Sequence, residues 1–532
     1  MNSSIGTETD FFAGLRACPC LEGFHRQHMF QDCHQCGEGL ECKDDYAALK
    51  YGYWWRWRNE SYKDRYIYFI KNLLASSPAL GENDVQYPYP IPTPYRCPIE
   101  ESCKGELDSL CETGYKGPLC SVCASGYYKQ LQTCKPCPSK TWIGGQLLFT
   151  VVFVLVIVLF STWTIKRKEE NDEGKRSLID TLLSKLKIAI GFYQVTYGLL
   201  EAFSYIKWPD SLQVIGSYSK LMQLNILQMA PVHCLSSGLQ VDAFGNLFSI
   251  MAINAAVIGF AGALYAVRKV SILRNRLLED KKKSRKVSQA KQLVYRNLFF
   301  CLYVTYLSTC SMTATVLPIA CRKLCQDEKD KLCFKYLKAD YSIVCHDSRY
   351  KHFVIVAYIS TAYIIVVPLA TFIAIWRQRR LIPDIADDRT SPDLSTGPEV
   401  VTGLRFLFEN YKAQSWYWEL VEVSRKVIVT SGLILVGQET RSYVGLAWVI
   451  AMMHGVLFAW IRPIKDSFEN RLMTTSLAVT VVNLAIGAVS KIPAENLPVS
   501  TDSYMNTVIF NLLVLVANTL VIGLLICKII LF

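Results

Sequence analysis

Residues 416–429 read WYWELVEVSRKVIV, a run in which charge and apolar surface are forced together. Glu419, Glu422 and Lys426 are spaced three and four apart, so they share one helical face. Glu422 and Lys426 can therefore pair, with Arg425 beside them. The three aromatics at its start mark a membrane interface. Two readings stay open. One is an inner-leaflet anchor whose charges reach out to water; the other is a coupling element that passes movement between a cytoplasmic segment and a helix bundle. A second cluster joins Arg462-Pro463-Ile464 to Glu469-Asn470. Arg462 can answer the C-terminus of one helix and Asn470 can cap the next. His454, Asn483, Asn511, Asn518, Gln194 and Tyr197 stand inside otherwise apolar runs. Polar groups there serve interhelical hydrogen bonding or line a pathway. The sequence has no Walker loop, HExxH, GxSxG, kinase signature or potassium-type filter. The expected chemistry is thus electrostatic and conformational; no enzyme activity and no cofactor are expected.

Cysteine supplies the other chemistry. Twelve of the 20 cysteines precede residue 138. Cys97, Cys103, Cys111, Cys120, Cys123, Cys134 and Cys137, with Cys321, Cys325, Cys333 and Cys345 of a later loop, are disulfide candidates. The C-x-x-C spacings also suit zinc. An adjoining apolar span favours disulfides, because it places this face in an oxidising compartment. Asn59-Glu60-Ser61 is a glycosylation sequon on the same face. The aromatic run YGYWWRW (51–57) reads as a small core or a binding surface, and YPYPIPTPY (87–95) as an extended spacer between two modules.

These residues need a scaffold. The chain has 532 residues, 51% of them apolar, with mean hydropathy +0.20 and formal charge +12. Basic clusters sit beside apolar spans, as in cytoplasmic loops, and no nucleic-acid module is present. The expected fold is an all-α polytopic membrane protein of about nine transmembrane helices, with a small disulfide-rich, loop-rich N-terminal ectodomain. The helices fall near 144–165, 188–206, 244–267, 293–320, 353–376, 419–436, 443–461, 472–490 and 507–531. The expected divisions are 1–96 (cysteine- and aromatic-rich segment), 97–143 (cysteine module), 144–380 (helices one to five), 381–415 (flexible cytoplasmic linker) and 416–532 (helices six to nine). The N-terminus is then extracellular at the plasma membrane and the C-terminus cytoplasmic. Lys281, Lys282, Lys283, Arg285 and Lys286 form an orientation signal that can also attract anionic lipid. The first twenty residues lack a signal-peptide core, which suggests a longer parent chain. Partners beyond the bilayer would be an extracellular ligand or matrix component, and an oligomer is compatible with the pattern.

Two stretches carry a resemblance. Cys111, Gly114, Tyr115, Gly117, Pro118, Leu119, Cys120, Cys123, Gly126 and Tyr127 resemble the close of laminin-type EGF or ephrin-receptor-like repeats. Trp418, Glu419, Glu422 and Lys426, then Arg462-Pro463 and Asn470, with Trp208-Pro209 and Cys234, are similar to fungal transient-receptor-potential-like (flavin-carrier-like) proteins. The resemblance implies a surface protein with a cation-conducting or sensory role. The competing expectation is a non-conducting receptor or adhesion protein that signals through its basic inner loops.

Overall fold

The computed structural model describes residues 19–29, 31–75, 86–130, 133–148, 152, 178–219, 234–235, 242–274, 280–326, 333–377, 379, 404–436, 441–490 and 508–530. The chain divides into two units, one of Met1–Cys137 with Cys321–Lys351, the other of Pro138–Ala320 with His352–Phe532.

The first unit is made of short antiparallel ladders. β1 (Phe24–His25) pairs with β2 (His34–Gln35), β3 (Leu40–Lys43) with β4 (Tyr46–Leu49), and β5 (Tyr53–Trp54) with β6 (Tyr95–Arg96). Further on, β7 (Cys103–Gly105) pairs with β8 (Leu110–Cys111), β9 (Tyr115–Lys116) with β10 (Val122–Cys123), and β11 (Tyr127–Gln130) with β12 (Thr133–Pro136). Two-residue ladders are not stable alone in water. Disulfides hold them: Cys20–Cys33, Cys36–Cys42, Cys97–Cys103, Cys111–Cys120 and Cys123–Cys134. The one long element is α1 (Glu60–Leu74), capped by Asn59, whose side chain accepts from the Tyr62 amide. Tyr66, Phe69, Ile70 and Leu73 recur at helical spacing and pack on Met29 and Tyr87.

The aromatic run proves to be core. Trp55 is fully buried, and the Trp55 and Trp57 indoles both donate to the Leu107 carbonyl at 3.1 and 3.0 Å. The expected spacer is no spacer either. Tyr87 is buried, its amide donates to the Gln27 carbonyl, and Tyr95 lies in β6. Segments 1–96 and 97–137 therefore belong to one folded unit, because the tyrosines between the prolines need apolar partners.

β13 (Cys321–Cys325), β14 (Cys333–Leu337) and β15 (Asp340–Val344) complete this unit. Cys321–Cys345 and Cys325–Cys333 close the sheet. Its inner face packs Leu324, Tyr336 and Tyr341 on Leu119, with Trp54, Tyr95 and Val122 around them. The Tyr95 hydroxyl accepts from the Cys325 amide at 2.6 Å, and Arg56 Nη1 donates to the Tyr336 hydroxyl at 2.9 Å. Strand alternation turns Lys323 and Lys335 to the exposed face. The lysine richness of this loop is thus the wet side of a sheet.

His25 is lowered below its ordinary pKa, first by burial and then by the facing His34. A lowered folded value gives stability that is complete above the unfolded value of 6.5 and is lost as pH falls through the folded value. Acidification below 6.5 should therefore lower the melting temperature of this unit, and His25→Gln should flatten that dependence in a pH series of thermal scans. An unchanged slope would remove His25 as the cause.

The helical unit contains α2 (Leu178–Ala202), α3 (Asp210–Ser219), α4 (Ala243–Arg274), α5 (Asp280–Val316), α6 (Ser348–Arg377) and a single turn α7 (Arg405–Phe408). Then follow α8 (Trp418–Val427), a π-helical turn Ile428–Gly432, α9 (Leu433–Val436), α10 (Arg441–Ile461), α11 (Ser467–Val489) and α12 (Val508–Ile530). Among the described residues five stretches, not nine, are long and apolar enough to cross a membrane: Ala243–Arg274, Asn297–Val316, Ser348–Arg377, Arg441–Ile461 and Ser467–Val489. α2 is not among them, 418–436 is broken by the π turn into shorter helices, α12 contributes the shorter Asn511–Leu524, and the expected 144–165 span falls almost wholly outside the described residues. Only 17% of the apolar window of α6 and 22% of those of α4 and α10 are buried, against 61% in α5 and 56% in α11. Apolar faces left this open belong in lipid. The protein is membrane-embedded, with α5 and α11 inside and α4, α6 and α10 facing outward.

The end of the expected flexible linker is folded. Leu404, Leu407 and Phe408 are buried with Ile375, against Phe299, Tyr303 and Trp416. Tyr411 bridges to Ile464, while Lys412 N donates to the Pro463 carbonyl and Lys465 N to the Asn410 carbonyl. Residues 380–403 lie outside the described residues.

Candidate functional site: a buried charge hub on α8

α8 is amphipathic in an unusual sense: its charges are the buried part. Glu419, Glu422 and Arg425 are 3%, 1% and 5% exposed. Charge is tolerated in such a place only when paired. Arg425 grips Glu422 through Nε at 3.0 Å and Nη2 at 2.6 Å, a two-pronged contact. Lys426 Nζ stands 3.6 Å from the same carboxylate, and His454 Nε2 of α10 is 3.4 Å away. Glu419 is held from three other elements. Lys187 of α2 reaches it at 2.7 Å, Tyr411 donates its hydroxyl at 2.9 Å, and the Tyr303 hydroxyl of α5 donates to the other oxygen.

Close approach of α2 makes this geometry available. A Cβ on Gly191 would lie 2.7 Å from Lys426 Nζ, and one on Gly198 2.8 Å from Thr430 Cγ2. These two glycines, one heptad apart, let α2 lie directly on α8 and on the π turn that follows. Single π turns inside α-helices recur at functional sites.

Glu422 does meet Lys426, as their spacing predicts, but Arg425 makes the tighter contact. Arg462 is exposed and sits at φ 47° as the left-handed residue that ends α10, its amide bonded to the Phe458 carbonyl. Asn470 does not cap α11. Asp466 does, accepting from the Phe468 amide, because the helix begins at Ser467. Asn470 instead fastens the turn between α10 and α11: its Nδ2 donates to the Ile464 carbonyl at 2.6 Å and its Oδ1 accepts from the Ile464 amide. Lys187, Tyr303 and Tyr411 were not singled out from sequence. Lys187 ends a basic connection, Tyr411 lay in a stretch read as linker, and nothing local marks Tyr303.

A family model described as "Domain of unknown function (DUF7630)" matches residues 95–137. No curated protein and no solved structure matches the chain. The matched stretch is the run from β6 to Cys137 in the disulfide unit.

In that stretch no C-x-x-C pair closes on itself. Cys120 bonds Cys111, Cys123 bonds Cys134, and Cys137 is also disulfide-bonded. Cys33 and Cys36 likewise bond Cys20 and Cys42. His25, Cys36 and Cys42 gather within 4.8 Å, but two of these sulfurs are joined to each other and present no thiolates to a metal. The basic cluster opens α5, where Lys283 pairs with Asp280 at 3.4 Å and Lys286 is exposed; the side chains of Lys281, Lys282 and Arg285 lie outside the described residues.

The polar residues within spans face one another. Asn483 and Asn518 exchange amide hydrogen bonds of 2.8 and 3.0 Å, and Tyr193 donates to the Asn518 carbonyl. Gln194 donates to the Val304 carbonyl, Asn254 pairs with Thr305 and Thr309, and Asn511 accepts from the Ser211 amide. We expect Asn483→Leu and Asn518→Leu to be less costly together than in sum, with a coupling of about 0.6–1.7 kcal/mol. A double-mutant cycle of unfolding in detergent measures it; simple additivity would mean the pair contributes nothing specific.

Proposed function

We propose that this chain is a sensory multi-pass protein of the plasma membrane, in which the disulfide unit meets an extracellular stimulus and α8 relays the response to the cytoplasmic side. The observation that carries the reading is the convergence of four elements on one short charged helix. Lys187 of α2, Tyr303 of α5, Tyr411 of the cytoplasmic segment and His454 of α10 all contact Glu419 or Glu422. A shift of any one changes the partners left to the others. That suits coupling better than conduction, since Gln194, Asn254, Asn483, Asn511 and Asn518 all spend their amides on partners within the protein. The resemblance to EGF-like repeats and to transient-receptor-potential-like proteins belongs to this proposal, as does the absence of enzymatic chemistry.

The sidedness has its own support. Residues 1–137 and 321–351 fold as one unit, so the chain must cross the bilayer an even number of times between them. Ala243–Arg274 and Asn297–Val316 give two crossings there. With the extracellular N-terminus proposed here, Asn59 is outside. It is exposed, and capping α1 occupies its Oδ1 and leaves Nδ2 for a glycan. Glycosidase treatment of protein from a eukaryotic cell should lower its mass, and Ser61→Ala should abolish the shift while keeping the cap. A chain never modified at Asn59 would count against an extracellular N-terminus.

Relay is tested by hydrogen exchange across residues 404–415 of the full-length protein in nanodiscs, before and after reduction of the outer disulfides. Coupling predicts faster exchange after reduction. Unchanged exchange with reduction verified by mass would end the relay reading, and a stimulus-gated current from the purified protein would replace it with conduction.

A further inference from the structure

The seam between α8 and α10 contains more hydrogen-bond donors than it uses. Trp418, Glu422 and Arg425 follow one another at spacings of four and three, one face of α8, and meet His454 and Phe458 of α10. The Trp418 ring lies 6.0 Å from each of those two rings. Arg425 spends Nε and Nη2 on Glu422, which leaves Nη1 outside that pair. Among the described residues Arg425 Nη1 and Trp418 Nε1 are buried with no hydrogen-bond partner, and neither ring nitrogen of His454 has one. His454 Nε2 lies within ion-pair reach of Glu422 without the geometry of a hydrogen bond. The three residues are 5%, 2% and 8% exposed. Native interiors rarely leave such groups unpaired, and three together in one seam call for an acceptor.

Charge points the same way. Arg425 and Lys426 both pair with Glu422, so two cations share one carboxylate beside these donors. Cations that share a single counter-charge in a low-dielectric bundle are costly.

We propose that the α8–α10 seam is a binding site for a small monovalent anion of halide size, held by Arg425 Nη1, Trp418 Nε1 and the His454 ring. Such an ion accepts from all three donors and adds a second negative charge beside Arg425 and Lys426. Water accepts but brings no charge. A phospholipid phosphate brings charge but must pass side chains that are more than nine-tenths buried. The site rests on the hub's contacts alone and stands whether or not α8 relays a signal.

The test is thermal unfolding of the full-length protein in neutral-lipid nanodiscs, titrated with chloride or bromide against gluconate at constant ionic strength. Expected is a saturable rise in melting temperature with the halides only. Trp418→Phe should raise the half-saturating concentration about tenfold, as the loss of one charge-assisted hydrogen bond does, and Arg425→Gln should abolish saturation. Should Arg425→Gln fail to fold, Trp418→Phe still decides. Identical unfolding in halide and gluconate would overturn the proposal and leave the seam to water. A halide effect indifferent to Trp418→Phe would place the anion elsewhere and overturn it too. Stabilisation seen only when anionic lipid is present would overturn the halide assignment in favour of a lipid phosphate.

Discussion

Replacing Glu422 with alanine should destabilise the helical unit by about 3–5 kcal/mol, the range found when one member of a buried ion pair is removed. The loss is so large because of what remains. Arg425 would keep its buried guanidinium with two of its donors newly orphaned, and Lys426 would lose the carboxylate 3.6 Å away. Glu422→Gln should recover part of the cost by accepting one of those bonds. Glu422→Gln with Arg425→Met should recover more, since a buried pair replaced on both sides by matched neutral groups is often close to neutral. Chemical unfolding in detergent, followed by tryptophan fluorescence, measures all three. If the single alanine variant is as stable as the double variant, the charges are solvated and the hub is not a buried network. Glu419→Gln is expected to be milder for global stability but to free the 404–415 segment, because Tyr411 and Lys187 both end on that carboxylate.

Cys321→Ser with Cys345→Ser should cost the disulfide unit about 3 kcal/mol, the chain-entropy value for a loop of this length. The two cysteines are 24 residues apart, the widest separation among the described bridges whose two partners are given above. The sheet they close has few other anchors: the Leu324–Tyr336–Tyr341 face, the Cys325 amide on Tyr95, and Arg56 on Tyr336. Limited proteolysis should then cut within 321–351 while α1 and its aromatic core stay protected. Cleavage that begins in both regions at once would mean that the unit unfolds as a whole and that the bridge closes no independent piece.

The residues that make the site are the ones that hide its helices. Hydropathy reads α4, α6 and α10 easily because their side chains face lipid and are uniformly apolar. α2 and α8 fall short of the same measure because Lys185, Lys187, Glu419, Glu422, Arg425 and Lys426 interrupt them. Spacing within one helix predicted that Glu422 would meet a cation on the next turn. It could not place Tyr303 or Tyr411 beside Glu419, since those contacts come from how other segments pack, not from any local period. The folded end of the linker had a legible sign, apolar residues at 404, 407, 408 and 411, but the proline- and acid-rich stretch before it dominated the composition. The cysteines of the 321–345 loop were legible as disulfide candidates, while its lysines make sense only through the strand alternation that turns Lys323 and Lys335 to the exposed face.

The two pieces of the disulfide unit are separated in the chain by the whole of 138–320. A ribosome adding about 5–20 residues per second needs roughly ten to forty seconds to get from one to the other. During that interval Leu119, Trp54 and Tyr95 have no covering sheet, and four cysteines that will later form two bridges have not yet been made. The unit is therefore complete only after the intervening helices have been made, and its two pieces can meet only if those helices cross the membrane an even number of times.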